Sequence, residues 1–385
     1  MQGRYGVKKG WLGRAMRWAS SLWATAAIVW AGGASADTYT WSTTTEGAAQ
    51  DGSGAWNTST ANWVGAGDAH AAWNNANSDT AAFGAGGTAG TVTLDASGIT
   101  LGGLLFNTGV TGAYTLAGGP LTLAGAPVFV ANADATLTAQ MVGSAGFTKT
   151  GAGTLTFGNP DSTFTGDINI TAGTVVSGAM NQGGTNSALG RANVPRTITV
   201  GNGATLQFNV HDTFGNDGKN PAVTITANGG TIRNANTFTT FGLLNLLDAS
   251  LISSGGANPS FQAYQLKGTV TSGGNSTIGT TGGTYNGVHV YDNTFAVTSG
   301  TLTVSAPLLN KAGGAPAGFT KTGAGSMILA ADNTFGGSVI VSNGLLQVGV
   351  GGSAGSLGTG SINLASDGAS LVFNRTGNLT ISGAV

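Results

Sequence analysis

The chain has 385 residues, of which 68 are Gly, none is Cys, 8% are charged and 41% are hydrophobic, with a formal net charge of −1. Disorder needs low hydrophobicity with high net charge, and collagen needs Gly at every third position with abundant Pro; this chain, with 8 Pro, fits neither. Its Gly, Thr, Val and Asn disfavour long helices, and its sparse Lys and Arg argue against nucleic acid as a partner.

The first 36 residues read as a signal peptide. Arg4, Lys8, Lys9, Arg14 and Arg17 form a basic start, Trp18 to Ala31 is weakly polar to apolar, and Ala34-Ser-Ala36 offers a small-x-small cleavage site. The stretch is shorter than the roughly 20 apolar residues of a membrane span, so no integral span is expected in the mature chain. Its removal takes five of the 14 basic residues and leaves nine against 15 acidic ones. Without Cys, the exported chain must rely on backbone pairing and side-chain stacking.

Residues 37–90 are Trp-, Asn- and Gly-rich. All eight Trp lie at or before position 73, four of them being Trp41, Trp56, Trp63 and Trp73. One reading makes Trp56, Trp63 and Trp73 exposed faces for stacking on sugar rings. The other makes the segment a cap over the open end of a repeat array, which needs its first unit shielded.

From residue 91 to 385 the text is strand and turn. Thr91-Val-Thr-Leu94, Thr136-Leu-Thr138, Thr197-Ile-Thr-Val200 and Thr301-Leu-Thr-Val304 alternate Thr with apolar residues, so one face of each strand is buried. Asn202-Gly203, Asn228-Gly229 and Asn343-Gly344 are turn signals. Alternation alone fits an antiparallel sandwich as well as a parallel solenoid. Phe238 to Leu266 is the most apolar interior run, compatible with a short helix or with fully buried strands. Duplication favours the solenoid: Gly146-Phe-Thr-Lys-Thr-Gly-Ala-Gly153 returns unchanged as Gly318-Phe-Thr-Lys-Thr-Gly-Ala-Gly325. A solenoid of about 17 rungs, about 80 Å long at about 4.8 Å per rung, is expected.

The two copies, at about 146–178 and 318–349, continue through Ser162-Thr-Phe-Thr-Gly166 and Ile168 to Val176 in the first. They resemble the autotransporter-associated β-strand repeat, read as L-x-K-x-G-x-G-x-L-x-L followed by N-x-[YF]-x-G. The resemblance implies a right-handed parallel β-helix in a secreted passenger, with repeats that assist passage through the outer membrane. It carries motif roles onto Lys149, Gly151 and Gly153 and onto Lys321, Gly323 and Gly325. No C-terminal membrane barrel of alternating ten-residue strands follows, so an outer-membrane translocator is not expected within this sequence, and the strand edge at Val385 is open to pairing.

Lys149 and Lys321 read in two ways: as a basic ladder for anionic glycans, or as solvated lysines flanking a turn. Catalysis has little text behind it. The acids are 14 Asp and Glu46, mostly single and in turns; His211-Asp212 lacks a nucleophile elbow; His70 and His289 lack metal-ligand spacing. The expectation is a non-enzymatic, adhesin-like or structural passenger without cofactor or metal, meeting surface glycans or a host or neighbouring cell surface. A carbohydrate-active β-helix enzyme is the rival reading, and a glycan-binding module centred on the Trp residues is a third.

Overall fold

A computed structural model describes residues 36–379 except 217 and 257, together with 381 and 383. The basic and apolar segment read as a signal peptide therefore lies outside the described residues, as does Val385 with its strand edge.

Each coil of the chain contributes a strand to a long sheet, turns a tight corner, contributes a strand to a second sheet, and returns by a longer connection. Among the described residues the long sheet has 17 strands and the second has 14. Successive strands pair in parallel and in register, as in Thr154–Phe157 on Thr174–Ser177, then on Thr205–Phe208, then on Thr231–Asn234. This is a solenoid of parallel strands, not an antiparallel sandwich. Its second sheet holds 14 rungs rather than about 17, because return connections such as 178–195 and 209–222 lengthen several coils. At about 4.8 Å per rung the stack is about 60 Å long.

The alternation seen in the sequence sets the faces. In Thr154–Phe157 the Thr side chains point outward while Leu155 and Phe157 are buried, and Arg196–Val200, Val223–Asn228 and Thr301–Val304 follow the same period of two. Inward residues of neighbouring rungs stack into columns, giving one continuous core from Trp41 to Ile362.

The apolar run from Phe238 resolves into strands. Thr239–Phe241 opens a third sheet of four strands, continued by Tyr264–Leu266, Val288–Val290 and Leu308–Leu309, and Leu243–Leu247 joins the long sheet. The third sheet runs within the return connection. Leu244 and Leu246 are buried, whereas Leu243 and Leu247 are each 48% exposed, so this strand is not buried on both faces.

Antiparallel pairing is confined to the first described segment, where Thr38–Trp41 and His70–Ala71 both flank Trp63–Val64. Parallel stacking has already begun there. Gly54–Trp56 is the first strand of the second sheet, and Thr80–Phe83 pairs with the second half of Ile99–Phe106.

Candidate functional site

The chemically distinctive element is the corner between the two main sheets in each duplicated segment. In Phe147–Thr150, Phe147 and Lys149 share the inward face; in Phe319–Thr322, Phe319 and Lys321 do the same. Both lysines have 0% exposure, so neither the solvated lysine nor the basic ladder describes them. The correction follows from the period of two. A residue two places after a core Phe on a strand points where the Phe points.

The lysine stems run inside the core and their ammonium groups close the corner. Lys149 Nζ donates to the carbonyl oxygens of Gly151 at 2.6 Å, Gly153 at 2.6 Å and Ala172 at 3.0 Å. Lys321 Nζ donates to Thr322 at 3.1 Å, Gly323 at 2.7 Å and Asn343 at 2.9 Å. An ammonium has three protons, and here each meets a carbonyl. The third acceptor lies on the next coil, so each lysine ties its own turn to the rung that follows.

The motif glycines are what this arrangement leaves room for. Gly173 and Gly344, one rung beyond each lysine, have φ of +65° and +71°. A Cβ on Gly173 would stand 2.5 Å from both Lys149 Nζ and the Gly151 oxygen, and a Cβ on Gly344 would stand 2.8 Å from Lys321 Nζ. Gly151 and Gly323 also have positive φ, and Gly153 and Gly325 press against the preceding rung. The later glycine of each copy belongs to the same constellation as the K-x-G-x-G run, although the two are separated by an entire return connection.

Burial pushes the Lys149 ammonium down to about 8, opposed by the nearby Asp134 carboxylate. Burial likewise pushes Lys321 down to about 8. A third inward cation, Arg196, packs 5.3 Å from the Phe164 ring centroid and donates to the carbonyls of Arg191 and Leu189. The return connection of each repeat is anchored by a fully buried aromatic, Phe164 against Phe147 and Phe335 against Phe319.

The turn acids have a shared task that the sequence hid among single Asp residues. Asp134, Asp167, Asp248 and Asp292 each accept a backbone N–H from the next coil at 2.7 Å, from Thr154, Thr197, Asn275 and Gly318 respectively. Asp332 does so from Gly355 at 3.0 Å. They staple rungs from the outside, as the lysines do from within.

The Trp residues form a cluster. Trp56 and Trp63 have 0% exposure and Trp73 3%; ring centroids lie 4.6 Å apart for Trp56–Trp63, 4.8 Å for Trp63–Trp73 and 4.9 Å for Trp56–Trp73. Their faces cover one another and Phe83, leaving none for a pyranose. Asp51 pins this end to the following rungs, accepting from the Tyr114 hydroxyl at 2.6 Å and from the N–H of Ala85 and Gly87. Burial alone would raise its pKa, but these bonds hold it below the ordinary carboxylate value.

Of the histidines, His70 bonds the carbonyls of Ala61 and Gly47, His289 is buried, and His211 stacks on Phe238. Among the described residues no three His, Asp or Glu side chains gather as a metal site, and no helix is long and apolar enough to cross a membrane.

The fold and these corners define a parallel β-solenoid with internally lysine-locked repeats. Residues 147–176 and 319–348 match the passenger-associated-transport-repeat family, so the chain carries two such repeats. It is also similar, at 40% identity over 185 residues, to the adhesin BmaC autotransporter of Brucella suis biovar 1 (strain 1330). That match covers 46% of this chain and 5% of the relative, so the chain spans a small fraction of the relative's length. No solved structure matches the chain.

Proposed function

We propose that this chain is a secreted or surface-exposed, adhesin-like β-helical passenger segment without catalytic activity. In this reading residues 1–36 are its signal peptide, 37–90 cap the solenoid, and 91–385 form the passenger. The surface of a host or neighbouring cell, including its glycans, is the partner. The observation that carries the reading is the pair of passenger-associated-transport repeats set in one uninterrupted parallel stack. The likeness to an autotransporter adhesin supports it over a carbohydrate-active enzyme.

The repeats fit a role in export or stacking. A chain that emerges in sequence order can add one coil at a time to a template edge. A corner whose lysine bonds the next coil fastens each addition to the last. To test the reading, the chain is joined to the membrane barrel of an autotransporter and expressed in a Gram-negative host with an epitope in the exposed 350–354 connection. Labelling of intact cells and increased attachment to a glycan-coated or epithelial surface are expected. Retention inside the cell, or labelling without any gain in attachment, would sink it.

A further inference from the structure

We infer that the return connections of the middle coils build a binding cleft for an uncharged hexopyranose unit of a glycan. The inference deepens the adhesin-like reading and rests on it for its biological setting. It stands on a different part of the molecule from the buried Trp cluster.

Four successive return connections, 178–195, 209–222, 235–238 and 254–263, stack along one side of the solenoid and enclose a cavity of about 350 Å³. That volume falls at the lower end of the roughly 300–1,000 Å³ typical of small-molecule pockets. Long loops held by a rigid stack of strands are where binding groups are commonly carried.

Three rings from successive coils line the cavity. His211 stacks on Phe238 at 5.2 Å with planes 24° apart, and Phe238 stacks on Phe261 at 4.6 Å and 13°. Phe238 is 5% exposed and serves as the inner member, while His211 and Phe261 are partly exposed. A comparable stack, Phe129 on Phe147 on Phe157, lies within the core, whereas this one sits in the connections outside the two main sheets. It gives the cavity an apolar strip at the level of each coil.

Opposite chemistry shares the same walls. Gln182, Asn216 and Asn258 line the cavity with amides. Asn216 Oδ1 accepts the Gly218 N–H at 3.0 Å and Asn258 Oδ1 accepts the Ser260 N–H at 2.9 Å. Each bond fixes the side chain within its own loop while its NH2 group remains a donor. Asp212, 3% exposed, adds a carboxylate to the wall.

A hexopyranose presents a patch of C–H groups and a rim of vicinal hydroxyls. Aromatic ring faces suit the first, and amide and carboxylate groups suit the second. No Lys or Arg is among the described lining residues, so an anionic sugar finds no cationic partner among them, which selects the neutral class.

The test uses the full chain titrated by saturation-transfer NMR with methyl α-D-mannopyranoside, methyl β-D-glucopyranoside and methyl β-D-galactopyranoside. At least one should bind saturably with a Kd of about 10 mM or tighter. Gln182→Ala and His211→Ala, both at loop positions with some exposure, should weaken that binding at least tenfold with an unchanged melting temperature. The cleft is overturned if none of the three binds, if both variants bind like the parent, or if methyl N-acetylneuraminide binds more tightly than all three. Cell attachment separates the two readings. Attachment retained by a chain that binds no glycoside overturns the cleft and leaves the adhesin-like role standing. Glycoside binding without attachment supports the cleft and overturns the role.

Discussion

The coils of the two repeats and the coils between them turn the same corner by different means. One interior column of the long sheet runs Phe129, Lys149, Ile170, Val200, Ala227, Leu246 and Ser272, one residue per rung. Every position is buried, and only at the repeat is it a cation. Lys321 likewise stands in an apolar column, between Phe295 before it and Val341 after it. In the intervening coils the corner interior is filled by small residues, Ala204, Ala249 and Ser276, and tied by outer side chains such as Asp248. A solenoid corner thus needs both its stranded carbonyls and its N–H groups satisfied; a lysine from within serves the first and a carboxylate from outside serves the second. They differ in what they do to the next coil. The internal cation grips carbonyls on two rungs at once.

Removing that grip should give the largest effect. Lys149→Met or Lys321→Met keeps a long apolar stem but leaves three carbonyls short of a donor, at a cost of about 2–4 kcal/mol for each variant. The urea midpoint of the purified chain measures it. A cost under about 0.5 kcal/mol would mean that the column tolerates any long side chain and that the ammonium bonds are incidental.

The glycines sharpen the same contrast at a smaller scale. Gly173 and Gly203 both have positive φ, +65° and +73°, yet a Cβ at Gly203 meets nothing within 4 Å, whereas one at Gly173 strikes the lysine cage. Gly203→Ala should therefore cost about 1 kcal/mol, from backbone strain alone, and Gly173→Ala about 2–3 kcal/mol. Equal costs would argue that the cage around Lys149 is loose. The outer staples come next. Asp134→Ala removes one exposed bond to Thr154 and should cost about 1 kcal/mol or less in the same assay.

Much of this architecture was legible in the sequence, and the reason lies in its regularity. Thr154-Leu-Thr-Phe157 shows its buried face by alternation, and duplication of the Phe-Thr-Lys-Thr phrase distinguishes stacked coils from a single sandwich. The burial of Lys149 was equally legible, since it shares the phase of Phe147, but charge overrode periodicity in that reading. The partners were not legible. Ala172 and Gly173 meet Lys149 only because a return connection of fixed length brings residues more than 20 positions ahead onto the same corner. The sugar-stacking reading of Trp56, Trp63 and Trp73 failed for a related reason. Four Trp in a short segment can cover one another, and composition does not say whether they do. The His211, Phe238 and Phe261 stack was hidden because its members come from three coils with unequal loops.

The finest test of the comparison concerns pH, and it asks which force holds the proton on the internal lysines. Burial places both near 8, below the ordinary lysine value of 10.5 that they regain on unfolding. Between these two values the unfolded chain binds more protons than the folded one, so stability should rise as pH climbs from about 8 to about 10.5 and stay level in this respect below 8. The rise should vanish in the Lys149→Met, Lys321→Met double variant. Its two contributions should also differ, because the Asp134 carboxylate supports the charge on Lys149. Asp134→Asn should therefore start the rise at a lower pH for the first repeat and leave the second unchanged. Urea midpoints collected across pH 7 to 11 for the three proteins provide the check. A fall in stability over that window in the parent would mean that three carbonyl acceptors hold the ammonium more firmly than water does, and that the corner is locked by charge rather than merely tolerant of it.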